Sequence, residues 1–144
     1  MLYNDECFKS ADLRKFAESM VRKIKWLNSE GGNIDTIISR GSSGCSLASA
    51  VLALADFPLY HLFIRHPSAF HTEHGEQNNA GMWGKGNAVI VDDFICSGET
   101  ISIILNSEPV ISRVERLKDR EIVGVLICAR DGSHEQLPVY SCSI

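Results

Sequence analysis

Apolar residues recur at intervals of three and four over residues 10–28, which is the spacing of one face of an α-helix. These residues are Leu13, Phe16, Met20, Ile24 and Leu27. Comparable spacing predicts further helices over residues 45–56, 97–105 and 110–118. Short, almost unbroken apolar runs predict strands over residues 34–38, 59–64, 88–91 and 122–128, and residues 139–143 are expected to add an edge strand.

Strands that alternate with helices indicate an α/β fold, because the crossovers between parallel strands are helical and cover both faces of the sheet. We therefore predict three layers, with a mainly parallel sheet between flanking helices, as one domain over residues 1–144. The chain contains no internal repeat, low-complexity run or linker that would divide it. Sheets of this kind bind ligands beyond the carboxyl ends of their strands.

Residues 65–87 contain Pro, Gly, Asn, His and Ser without a steady hydrophobic period, which predicts a long loop. Such loops are uncommon inside compact domains and are often functional lids. Trp83 and Phe70 lie in this stretch, where they could stack on a ligand or pin the loop to the body of the protein. His71 and His74 are more simply loop residues than a metal pair, since no nearby Cys or third His completes a zinc site.

Composition excludes several classes of protein. Hydrophobic residues make up 44% of the 144 residues and charged residues 22%, and no apolar run approaches the roughly 20 residues that span a bilayer. The net charge is −4, without the basic cluster expected of a nucleic-acid-binding protein. Five cysteines are scattered singly with no CxxC pair, and the first residues lack the order of a secretory signal. We therefore expect a cytoplasmic protein that binds neither membrane nor nucleic acid.

The segment VIVDDFICSGET, residues 89–100, is the most informative part of the sequence. A loop that leads into a helix presents unpaired N–H groups to a phosphate, and Gly98 permits close approach of the backbone. The hydroxyls of Ser97 and Thr100 are further donors. Asp92 and Asp93 instead suit ribose hydroxyls or a hydrated Mg²⁺ ion. Carboxylates that suit the sugar, followed by backbone N–H groups that suit the phosphate, together predict a ribose phosphate site.

This segment resembles the phosphoribosyl pyrophosphate signature of the type I phosphoribosyltransferases, which consists of a hydrophobic strand, two acids and a Thr/Ser/Gly loop. Three further features of the family occur in the same order along this chain: a loop after the first core strand at residues 39–42, a second strand that ends at Arg65 and His66, and a long loop. The resemblance therefore extends over much of residues 34–127. The stretch over residues 67–85 resembles the mobile loop that closes over the reaction centre in the family. The resemblance as a whole implies the type I phosphoribosyltransferase-like fold, here with a reduced hood and a long flexible loop.

The resemblance also implies an activity: Mg²⁺-dependent transfer of ribose 5-phosphate from phosphoribosyl pyrophosphate to a nucleobase or similar nitrogen heterocycle, by a homodimer. Asp92 and Asp93 would contact ribose hydroxyls and Mg²⁺, and Arg65 would meet the pyrophosphate; these three are the catalytic candidates. The remaining substrate-binding candidates are Ser39, Arg40, Gly41 and Ser42, then His66, and the loop formed by Cys96, Ser97, Gly98, Glu99 and Thr100.

Two positions depart from the family pattern. Cys96 stands where a Thr is usual, and its thiol is a weaker donor than a hydroxyl. His66 stands where a Lys is common, so a positive charge is replaced by a titratable ring. Both departures favour an alternative, a non-catalytic protein of the same fold that binds phosphoribosyl pyrophosphate or a nucleotide as a regulatory or interaction module. Asp131, Gly132, Leu137 and Val139 are candidates for contact with a base whose identity the sequence does not indicate.

Overall fold

Six strands form one sheet in residues 10–65, 79–116 and 121–143, the part of the chain that the computed structural model describes. In space the strands follow the order β3-β2-β1-β4-β5-β6. All neighbouring pairs are parallel except β2 and β3, which are antiparallel. The strands are β1 (Ile34–Ser39), β2 (Tyr60–Ile64), β3 (Asn79–Gly81), β4 (Asn87–Asp92), β5 (Ile122–Ile127) and β6 (Val139–Ser141).

Helices cover both faces of this sheet. They are α1 (Ser10–Ser29), α2 (Ser42–Leu54), α3 (Glu99–Leu105) and α4 (Glu108–Arg116). Met20 and Ile24 of α1 and Leu47 of α2 belong to the core on one face. Ile104 of α3 and Val110 of α4 belong to the core on the other face. The predicted α/β fold with three layers and a mainly parallel sheet is therefore confirmed.

The connections place a crevice between β1 and β4. From β1 the chain crosses through α2 to β2 on one side, whereas β4 pairs with the other side of β1, with Ile38 opposite Ile90. Neighbouring strands that send their following helices to opposite faces leave an opening beyond their carboxyl ends. The residues that follow β1 and the last residue of β4 thus meet at one edge of the sheet.

The stretch over residues 65–87 differs in part from the predicted loop. Asn79–Gly81 forms β3 and pairs with β2, although the sequence Asn-Ala-Gly carries no strand pattern. Trp83 is only 4% exposed and its Nε1–H donates to the carbonyl of Gly86 at 2.9 Å. Trp83 therefore pins this segment to the core. Phe70, His71 and His74 lie outside the described residues.

The turn after Trp83 is held by two side chains of β1. The N–H of Gly84 donates to Oγ1 of Thr36, and the N–H of Gly86 donates to Oδ2 of Asp35, both at 2.9 Å. A Cβ atom at Gly84 would lie 2.6 Å from the Asp35 carboxylate. Only glycine can occupy this position without a collision. The contact holds the chain at the point where it enters β4. No helix in the described ranges has both the length and the apolar character needed to cross a bilayer.

Candidate functional site

An open cleft of about 1470 Å³ lies at the carboxyl ends of β1, β2 and β4. It gathers nearly all the residues that the sequence analysis selected. Its lining includes Arg40, Gly41, Ser42, Arg65, Asp92, Asp93, Cys96, Ser97, Gly98, Glu99 and Thr100. Two candidates are not part of this lining: Ser39 is fully buried beneath it, and His66 lies outside the described residues.

The loop over residues 40–42 joins β1 to α2 and forms one wall of the cleft. Gly41 has φ 85°, a left-handed conformation that glycine adopts without strain, and no side chain caps the helix that follows. Nε of Arg40 is buried and has no hydrogen-bond partner among the residues that the structure describes. A buried unpaired donor is costly, so this side chain is well placed to bind an anion that enters the cleft.

Helix α2 lies very close to the end of β4. A Cβ atom at Gly44 would be 3.2 Å from the carbonyl oxygen of Val91 and 3.7 Å from Oδ1 of Asp92. Glycine at this position allows the first turn of α2 to approach the acids. This helix was predicted to begin at residue 45, and it begins at Ser42 in the structure.

The aspartate pair, Asp92 and Asp93, forms the floor of the cleft. The two residues are 7% and 4% exposed. The N–H of Asp93 donates to Oδ1 of Asp92 at 2.8 Å, and the N–H of Phe94 donates to Oδ1 of Asp93 at 2.9 Å. These local bonds fix both carboxyl groups against the backbone.

Burial and the adjacent Asp93 carboxyl raise the pKa of Asp92 to about 8, while the positive charge of Arg40 acts in the opposite direction. Two buried like charges are unfavourable unless a cation compensates them. The pair therefore fits a hard divalent cation such as Mg²⁺, which commonly binds one or two carboxylates and completes its shell with water and substrate phosphates. Within the described ranges, no group of three or more His, Cys, Asp or Glu residues forms an all-protein metal cage.

The loop over residues 96–100 closes the cleft on the far side of the aspartate pair. Gly98 has φ 79° and its carbonyl accepts the N–H of Ser102 at 2.9 Å. The hydroxyl of Ser97 accepts the N–H of Glu99 at 3.3 Å. Helix α3 starts at Glu99 rather than at the predicted residue 97, so residues 96–98 form a loop. Cys96 is exposed and its thiol is free.

Two histidines beside the site were missed by the sequence analysis. His61 on β2 shares a hydrogen bond of 2.6 Å between its Nε2 and Oγ of Ser39. His134 lies against the other loop, since a Cβ atom at Gly98 would be 3.6 Å from its Cδ2. Neither belongs to a recognisable motif, because only strand pairing and loop packing bring them here.

The four candidates for contact with a base do not line the cleft. Gly132 packs against Ile127, where a Cβ atom would lie 2.6 Å from Cδ1. Leu137 and Val139 pack on the core beneath α3 and α4. Asp131 is exposed. These four residues therefore pack on the core or face solvent, and none of them forms a wall of the cleft.

No protein-family model and no curated protein matches this chain. Solved structures do match. Orotate phosphoribosyltransferase from Francisella tularensis has a TM-score of 0.58 at 16% identity, over 92% of this chain and 66% of that one. Adenine phosphoribosyltransferase from Trypanosoma brucei, in complex with AMP, pyrophosphate and ribose 5-phosphate, has a TM-score of 0.56 at 15% identity. That match covers 92% of this chain and 64% of that one.

UMP synthase from Leishmania donovani is also similar, with a TM-score of 0.52 at 20% identity over 83% of this chain. The chain spans only 22% of that protein, and about two thirds of the other two. At these identities the likeness concerns the backbone. The chain has the α/β fold of the type I phosphoribosyltransferases.

Proposed function

We propose that this protein is a Mg²⁺-dependent phosphoribosyltransferase that transfers ribose 5-phosphate from phosphoribosyl pyrophosphate to a nucleobase or a similar nitrogen heterocycle. One observation carries the proposal. A buried pair of acids, Asp92 and Asp93, lies between two glycine-containing loops in a single cleft. This order of chemical groups matches a ligand with phosphate at one end, a sugar in the middle and pyrophosphate at the other end.

Each part of the cleft has a role in this proposal. The amides of loop 96–100 and the hydroxyl groups of Ser97 and Thr100 bind the 5-phosphate. The carboxylates of Asp92 and Asp93 accept hydrogen bonds from the ribose hydroxyls and hold Mg²⁺. Arg40 and Arg65, with the amides of Gly41 and Ser42, bind the pyrophosphate.

The reaction breaks the bond between C1 of the ribose and the pyrophosphate oxygen, and forms a bond between C1 and a nitrogen of the acceptor. The proton that this nitrogen loses passes to the solvent or to the released pyrophosphate. Positive charge develops on the sugar and negative charge on the leaving group. Arg40 and Arg65 stabilise the departing pyrophosphate, and such preorganised charges are worth several kcal/mol in a site from which water is excluded. Mg²⁺ held by Asp92 and Asp93 would further neutralise the charge of the pyrophosphate. No nucleophilic side chain is needed, because alignment of the two reactants supplies much of the remaining rate.

The similar enzyme from Trypanosoma brucei, bound to AMP, pyrophosphate and ribose 5-phosphate, supports this ligand class. We also propose that the protein is a homodimer, as the family resemblance implies, and that it acts in the cytoplasm. Light scattering of the purified protein tests whether it is a dimer. The second candidate function is non-catalytic binding of phosphoribosyl pyrophosphate or a nucleotide. It is favoured by Cys96, whose thiol occupies the loop position where a hydroxyl would bind phosphate more strongly.

Titration calorimetry with phosphoribosyl pyrophosphate, with and without Mg²⁺, tests the binding site. We expect saturable binding that strengthens in Mg²⁺. Pyrophosphate release is then measured with a panel of nucleobases. Release with one base supports the enzyme, binding without release supports the second candidate, and absence of binding to any ribose phosphate overturns both.

A further inference from the structure

The segment that follows β5, residues 128–138, packs against the chain that leads into α3. The N–H groups of Cys128 and Ala129 both donate to the carbonyl of Asp93, at 2.9 and 3.1 Å. A Cβ atom at Gly132 would lie 3.9 Å from Cβ of Ile95. This packing places His134 beside loop 96–100, although 36 residues separate it from Gly98 in the sequence.

The ring of His134 lies against Gly98. A Cβ atom at Gly98 would be 3.6 Å from Cδ2 and 3.9 Å from Nε2 of that ring. Gly98 is the left-handed residue at which loop 96–100 turns into α3. The edge of the imidazole that carries Nε2 therefore lies next to the backbone proposed to bind the 5-phosphate.

A local hydrogen bond sets the tautomer of this ring. The N–H of Gln136 donates to Nδ1 of His134 at 3.2 Å, so Nδ1 is the acceptor. In a neutral imidazole the other nitrogen then carries the hydrogen. Nε2–H has no acceptor among the described residues, and His134 is only partly exposed. It is a donor held in position beside the loop.

We propose that His134 is a phosphate ligand of this site, with Nε2–H donating to an oxygen of the 5-phosphate held by loop 96–100. The assignment rests on the ribose phosphate site proposed above. It supplies from another part of the chain the strong donor that Cys96 does not supply. The ligand class is a sugar phosphomonoester, because the contact is made to the phosphate and needs no particular base.

Titration with ribose 5-phosphate, and separately with pyrophosphate, tests the assignment. Loss of a hydrogen bond to a charged group predicts that His134→Ala weakens ribose 5-phosphate binding by about 10- to 100-fold. Binding of pyrophosphate, which is expected at Arg40 and Arg65, should not change. The matched control is Ser133→Ala, an exposed neighbour in the same segment, which should bind both ligands as the parent does.

Two further variants separate a ligand from a packing residue. His134→Gln keeps an N–H donor and is expected to recover part of the lost affinity, whereas His134→Phe keeps a ring without a donor and should behave like His134→Ala. If His134→Phe and not His134→Gln recovered the affinity for ribose 5-phosphate, ring packing alone would matter and the assignment would be overturned. Unchanged ribose 5-phosphate binding in His134→Ala would overturn it and leave the proposed function intact. A parent protein that binds no ribose 5-phosphate would overturn both.

Discussion

Asp93 combines a structural and a chemical role in one residue. Its carbonyl joins β5 to the cleft by accepting two N–H groups, and its Oδ1 accepts the N–H of Phe94. Substitution by asparagine keeps the acceptor and the shape of the side chain and removes the charge.

We therefore predict that Asp93→Asn weakens Mg²⁺-dependent binding of phosphoribosyl pyrophosphate by at least about tenfold, since a charged ligand to the cation is lost. The free energy of unfolding should stay the same or rise slightly, because Asp92 no longer faces a second acid. Calorimetry with and without Mg²⁺ and urea denaturation measure the two effects. Glu135→Gln, which neutralises an exposed acid outside the cleft, is the control. Equal Mg²⁺-dependent binding by parent and variant would contradict the role of Asp93.

The partly buried His61 should make the free energy of unfolding depend on pH. Burial lowers the pKa of His61 below its ordinary value of 6.5. As the pH falls below 6.5 the unfolded chain binds a proton at this position while the folded protein still excludes it, so the free energy of unfolding decreases. In His61→Gln this contribution is absent, and the amide can still bond Ser39. Urea denaturation between pH 5 and 7.5 should show a shallower decline for the variant; parallel curves would refute the prediction.

At the scale of the elements, the short strand β3 depends on one glycine. Gly81 has φ 90°, and a Cβ atom there would collide with the carbonyl oxygen of His61. Gly31 has nearly the same φ, 91°, but has open space around it. The two positions separate the cost of the conformation from the cost of the collision.

Alanine in the left-handed region costs about 1–2 kcal/mol. We predict that Gly31→Ala lowers the free energy of unfolding by about this amount. Gly81→Ala should lower it by at least about 1 kcal/mol more, because β3 must move away from β2 or distort. Chemical denaturation of both variants measures the difference. Equal losses would mean that the backbone at β3 shifts without cost.

Some elements were predictable from the sequence and others were not. The apolar runs predicted five of the six strands within about two residues at each end, since parallel strands are buried on both faces. β3 was missed because its three residues have no pattern of their own. They form a strand because the edge of β2 offers unpaired backbone groups at that place.

At the scale of the whole molecule, the sheet separates two cores that have no side chain in common within the described part of the chain. Ile24 belongs to the core under α1 and α2, and Ile104 to the core under α3 and α4; both are fully buried. Substitution of isoleucine by valine in a core typically costs 0.5–1.5 kcal/mol. The central strands connect the two cores mechanically, so the protein should still unfold as one unit.

We predict that Ile24→Val and Ile104→Val each lower the free energy of unfolding by about 0.5–1.5 kcal/mol and that the double variant loses the sum, within about 0.5 kcal/mol. All variants should show a single transition with an unchanged urea dependence. Fluorescence and circular dichroism followed in the same titrations provide the measurement. Two separate transitions in the double variant would show that the two layers unfold independently.

The sequence by itself determined the fold class and the chemical character of the cleft. Hydrophobic periodicity is a local property, and the residues 89–100 carry their acids, glycine and hydroxyls in one continuous stretch, so both could be interpreted without a structure. Loop 40–42 and Arg65 were assigned to the same site through the family resemblance. They can meet there because parallel strands carry their ends to one edge of the sheet.

The tertiary structure alone decided which residues from distant segments stand behind these loops. Ser39 lies beneath the cleft and bonds His61, Trp83 is buried, and His134 contacts Gly98 from the segment after β5. Of the four residues expected near a base, Leu137 and Val139 pack on the core. Such contacts depend on the order of strands and on the packing of loops, and no local pattern of residues encodes the distance between segments that meet only when the sheet is complete.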